Sequence, residues 1–152
     1  MTGALRSVYS KAEQISDAVV HVAGLTLVLM AVPVLIVLTA LYRGDAASIT
    51  GVSIYGGALI AMILFSALYN IGETSGFGTA KEWLLRRLDH SAIYLKIAGT
   101  YTPFTLLSGQ GMTLMAGVWG AALAGIALKI VSPERFKWVA LALYLGMGWI
   151  GL

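Results

Sequence analysis

Long apolar runs interrupted by short polar stretches organise this chain. The first runs from about Ala18 to Tyr42, with Pro33 inside it as an expected kink. The second runs from about Ile49 to Ile71, the third from about Asp89 to Leu107, the fourth from about Met112 to Val131, and the fifth from about Phe136 to Leu152. A helix needs about 20 apolar residues to cross the ~30 Å of hydrocarbon in a bilayer. The runs are continuous rather than alternating, so they predict helices and not the strands of a barrel. The predicted fold is all-α: one polytopic transmembrane bundle, residues 1–152, with five helices.

Between the second and third runs, residues 72–88 read as a loop. It opens on the turn-rich GETSGFG and continues as KEWLLRRL, a short interfacial helix anchored by Trp83. On the fourth run, Ala116, Gly120 and Ala124 form one stripe of small residues, and Gly117, Ala121 and Gly125 the next. Such stripes let membrane helices approach closely.

Composition agrees with the pattern. The chain is 59% hydrophobic and 11% charged, and its mean hydropathy is +0.85. It has no cysteine, which excludes disulfides, thiolate metal sites and a cysteine nucleophile. The net charge of +3 does not mark a nucleic-acid partner, because the basic residues follow the membrane pattern. Arg6, Lys11, Lys81, Arg86, Arg87, Lys129, Arg135 and Lys137 all fall on one side, and only Arg43 on the other. The positive-inside rule then places the N-terminus in the cytoplasm, with the lipid bilayer as the chain's first partner. The first run is long for a signal peptide and lacks a cleavage site.

Polar residues inside apolar runs are the candidate chemistry. A charge at a membrane helix centre costs about 2.5–3.5 kcal/mol on insertion scales, and such residues mark sites. The stretch LDHSAIYLKIAGTYTPF, residues 88–104, holds Asp89, His90, Lys96 and Thr100. Ser66 and Asn70 lie one helical turn apart near the end of the second run, at the same expected depth as Asp89. Together these residues predict a polar pocket that opens to the cytoplasm. Lys96 follows Asp89 by seven residues, on the same face and ~10 Å deeper. Its charge is expected to be balanced by Asp89, directly or through water.

Four segments resemble the hemolysin III family, the bacterial branch of the progestin and adipoQ receptor superfamily. They are YSKAEQISDAVVHVAG (9–24, with Glu13, Asp17 and His21 at recurrent positions), SIYGGALIAMILFSALYN (53–70), LRRLDHSAIYLKIAGTYTPF (85–104) and LYLGMGW (143–149). The resemblance implies seven helices and a cytoplasmic N-terminus. It also implies a zinc ion near the cytoplasmic face, held by histidines from S-x-x-x-H on the second helix and H-x-x-x-H on the seventh. An aspartate on the third helix lies beside the metal, and some relatives resemble ceramidases. By position, Asp89 and Ser66 carry over as candidate catalytic residues. The ligands do not. Asn70 stands where the second-helix histidine belongs, the only histidines are His21 and His90, and Leu152 arrives before a sixth helix. The expectation is therefore a C-terminally truncated domain without zinc or another cofactor. Its expected role is membrane homeostasis, sensing or reception, with a lipid or sterol-like ligand and a homo-oligomer as further partners. A zinc-dependent lipid amidase and a pore-forming cytolysin are the alternatives.

Overall fold

The computed structural model describes residues 11–75, 79–108, 111–131 and 137–149. They form five helices in chain order: α1 (Lys11–Tyr42), α2 (Ala46–Ser75), α3 (Thr79–Leu107), α4 (Gly111–Val131) and α5 (Lys137–Trp149). No strand occurs among the described residues. Three helices, α1, α2 and α4, are long and apolar enough to cross a bilayer. The chain folds as a helical membrane bundle. α2 packs between α1 and α3, and α3 also touches α4 and α5.

One boundary corrects the sequence reading. The stretch KEWLLRRL is not a separate interfacial helix, and residues 72–75 are not loop. α2 continues to Ser75, and α3 is unbroken from Thr79 through Asp89 to Leu107. Charge had suggested an interruption, but charge does not break a helix. Leu, Lys, Arg and Glu are all good helix formers, and neither Gly nor Pro separates Thr79 from Ala98. Of the expected turn, residues 76–78 lie outside the described residues. α1 likewise starts seven residues before the apolar run and passes through Pro33 without interruption.

Gly44 closes α1 in the left-handed conformation, with φ of 69°. The N–H groups of Arg43 and Gly44 return to the Thr39 carbonyl, at 2.9 and 3.2 Å. Asp45 then caps α2. Its carboxylate accepts the Ser48 N–H at 2.8 Å and the Ser48 hydroxyl at 2.7 Å.

The core lies where α3, α4 and α5 meet, around the buried residues Tyr94, Ala98, Val118, Ala122 and Met147. Tyr94 and Tyr144 meet edge to face, with centroids 5.9 Å apart. Gly125 lies against the Tyr94 ring, so the expected close approach on α4 holds at that position. The other small stripe, Ala116, Gly120 and Ala124, is exposed. Trp119 donates to the Thr102 hydroxyl at 3.2 Å, and Thr102 donates to the Ala98 carbonyl at 2.9 Å.

Candidate functional site

Two polar clusters stand out. The first joins α1 to α2. His21 Nδ1 lies 2.7 Å from the Asp17 carbonyl oxygen one turn earlier. A backbone carbonyl only accepts, so Nδ1 carries the hydrogen. The Asn70 amide nitrogen donates to the Ser66 carbonyl at 2.9 Å, which fixes the orientation of that amide. Its nitrogen also lies 3.3 Å from His21 Nε2. Nε2 therefore faces an N–H donor and is placed to offer it a lone pair. The Ser66 hydroxyl lies 3.2 Å from the same Nε2 and 3.5 Å from the Asn70 nitrogen. All three side chains are half-buried.

The second cluster centres on Lys96. Its ammonium donates to the Thr100 hydroxyl at 3.0 Å and lies 3.8 Å from the centre of the Tyr55 ring. Thr100 in turn donates to the Lys96 carbonyl at 2.8 Å. Beside Lys96 a groove of about 690 Å³ runs between α3, α4 and α5, with Thr100, Tyr101, Phe104, Leu114 and Gly148 in its lining. The Tyr101 hydroxyl donates to the Gly148 carbonyl at 3.0 Å, tying α3 to α5 at the groove wall. Phe104 is exposed.

The structure thus separates residues that the sequence placed in one pocket. Ser66 and Asn70 come together, and Lys96 and Thr100 come together, but in two clusters. Asp89 joins neither by a hydrogen bond or ion pair. Its carboxylate lies 3.9 Å from His90 Nδ1, and that nitrogen is 2.6 Å from the Arg86 carbonyl. Lys96 turns away from Asp89, towards Thr100 four residues further on. No group of three or more His, Asp or Glu side chains converges among the described residues. Neighbouring Arg87 donates from Nε to the Lys129 carbonyl at 3.2 Å and stacks its guanidinium 3.6 Å from the Trp83 ring centre. A cation there meets the negative end of α4.

Sequence reasoning passed over His21 as a site residue. A signal existed in the helical hairpin. His21 lies 23 residues before Gly44 and Ser66 lies 22 after it, so both fall at one depth.

Residues 9–152 match the family described as haemolysin-III related. The chain belongs to this family. Haemolysin-III relatives include Hemolysin-3 of Bacillus cereus, 38% identical over 143 residues. They also include the Hemolysin-3 homolog of Bacillus subtilis (strain 168), 40% identical over 141 residues. Both alignments cover 91% of this chain but 62% and 64% of those proteins. This haemolysin-III chain therefore spans less than two thirds of the length of these curated relatives. No solved structure matches it.

Proposed function

We propose that this haemolysin-III chain is an integral inner-membrane protein with a cytoplasmic N-terminus and a sensing or receptor-like role in membrane homeostasis. Its ligand is a lipid or sterol-like amphiphile with an anionic head. The observation that carries this reading is the Lys96 groove. The cavity is within the size range of small-molecule sites, mostly apolar with few polar groups. A cation stands at its edge, held by a hydroxyl and an aromatic face rather than by a carboxylate. An anionic head at Lys96, with an apolar body against Phe104 and Leu114, satisfies both features.

Native mass spectrometry of the protein released from anionic-lipid nanodiscs tests this. One amphiphile is expected to stay bound to the wild type, with binding about 10-fold or more weaker in Lys96→Met, since hydrogen bonds to charged groups contribute about 1.5–3 kcal/mol. Equal retention by both proteins would overturn the reading. The orientation is checked separately. A cysteine at Lys81 is expected to resist impermeant thiol reagents in intact cells, and one at Gly109 to react.

Zinc chemistry does not enter this proposal. At the S-x-x-x-H position the side chain is an amide, whose nitrogen donates hydrogen bonds and has no lone pair for a metal. His21 brings a single imidazole to the place, with Nδ1 on the Asp17 carbonyl and Nε2 facing Asn70 and Ser66. That donor set does not fit a three-histidine zinc centre. The name of the Bacillus proteins favours a second reading, cytolysis. Dye release from liposomes by the folded protein tests it, and intact vesicles would exclude it.

A further inference from the structure

We infer that the α1–α2 cluster is an acyl-transfer site in which Ser66 is the nucleophile, His21 the general base and Asn70 the oxyanion donor. This inference rests on the reading that the polar residues of the bundle meet a membrane amphiphile. The substrate class is a carboxylic ester of such an amphiphile.

Three geometric facts carry the assignment. The Ser66 hydroxyl lies 3.2 Å from His21 Nε2, within reach for a nucleophile and its base. The opposite ring nitrogen is anchored on the Asp17 carbonyl at 2.7 Å, so the ring is held in the tautomer whose Nε2 accepts a proton. A third group that orients the base is the usual companion of such a pair, and here a backbone oxygen fills that place. The third fact concerns Asn70, whose amide is held by the Ser66 carbonyl at 2.9 Å and whose nitrogen lies 3.5 Å from the Ser66 oxygen.

The chemistry balances. As the Ser66 oxygen bonds to the ester carbonyl carbon, its proton passes to His21 Nε2 and the carbonyl π pair moves onto oxygen. Nε2 then has no lone pair to offer Asn70. The released amide N–H lies beside Ser66, where the new oxyanion forms, and can donate to it. Collapse breaks the bond to the leaving alkoxide, which takes the proton from Nε2 and departs as an alcohol. Water attacks the acyl-serine while His21 takes its proton, the acid leaves, and Ser66 regains its hydrogen. Exposed apolar side chains flank the cluster, Val20 and Val22 on α1 and Leu68 and Ile71 on α2, and suit an acyl chain lying along the hairpin. All three polar residues are half-buried rather than sealed in the core.

The test is covalent labelling of the full chain in detergent micelles with a fluorophosphonate probe, which reacts with activated serines. One adduct per protein is expected, located on Ser66 by peptide mass. S66A should take no label. H21Q should label about 100-fold or more slowly, the typical scale for loss of a general base. N70A should slow it by about 100-fold or more, as for an oxyanion donor. Melting curves identify any variant that fails to fold, and the wild type is decisive alone. Folded wild-type protein that takes no label, or takes it elsewhere, overturns the assignment, as does H21Q labelling at the wild-type rate. Amphiphile retention at Lys96 is measured independently, so an inert Ser66 and an empty groove are distinguishable failures.

Discussion

The two faces of α2 are held by different physics. Towards α3 the contact is a close approach of backbones. A Cβ on Gly51 would come within 2.8 Å of the Pro103 Cα, and one on Gly99 within 2.6 Å of the Ala58 Cβ. Towards α1, Gly56 meets the Val32 side chain rather than backbone, and beside that contact lies the hydrogen-bonded cluster of His21, Ser66 and Asn70. In a bilayer the lipid is as apolar as the side chains, so burial does not drive helices together. Packing and polar contacts remain. The α2–α3 face relies mainly on the first, with the Lys96–Tyr55 contact as its polar addition. The α1–α2 face uses the second as well, and among the described residues α1 packs against α2 alone.

The largest expected effect breaks the packed face. Gly51→Ala puts a methyl group against the Pro103 backbone, which cannot swing aside as a side chain tip could. We expect a loss of about 1–3 kcal/mol, the usual scale for overpacking. Gly57→Ala is the control, since nothing lies within 4 Å of its added carbon. It should stabilise by about 0.5–1 kcal/mol through helix propensity alone. Reversible unfolding in mixed micelles measures both. Equal behaviour of the two variants would mean that α2 and α3 are not in close contact at Gly51.

A smaller effect is expected on the polar face. His21→Leu and Asn70→Leu should each cost about 0.6–1.7 kcal/mol, the range for hydrogen bonds between membrane helices. The double variant should cost less than the sum, because each single change leaves the other partner without its contact. Additivity within error would show that the two side chains do not meet.

These two faces also show what could be read in advance. The apolar runs gave the helices, because a span needs hydrocarbon contact along its whole length and the sequence carries that directly. Residues 79–88 were misread because charge there reports distance from the lipid, not helix geometry. Ser66 and Asn70 were legible as a pair because one turn on one helix aligns them. His21 was passed over because its partners lie on another helix, and its matching depth across the Gly44 turn is the one signal that joins them. The seven-residue spacing of Asp89 and Lys96 placed them on one face but did not set where a long, flexible stem points. Tyr55, on α2, drew the ammonium instead, and that contact has no local signature.

The smallest effect sits at the turn between α1 and α2, outside both faces, and tests whether the hairpin that sets their register depends on pH. The Asp45 carboxylate accepts from the Ser48 hydroxyl and the Ser48 N–H, and Arg43 Nε lies 3.8 Å away. The Ser48 hydroxyl first, then its N–H and the Arg43 charge, hold the Asp45 pKa below the ordinary value of 3.8. A depressed folded-state pKa means that the charged cap favours the folded state. That contribution is fully present above the unfolded value and fades as pH falls through the folded one. Between pH 5 and pH 3 the wild type should therefore lose a small part of its stability that Asp45→Asn does not lose. Asparagine keeps the cap, because it is as good an N-cap as aspartate, but it cannot titrate. The measurement is the difference in melting temperature between the two proteins across that window. Parallel curves would show that the turn holds the register of α1 and α2 without help from the charge on Asp45.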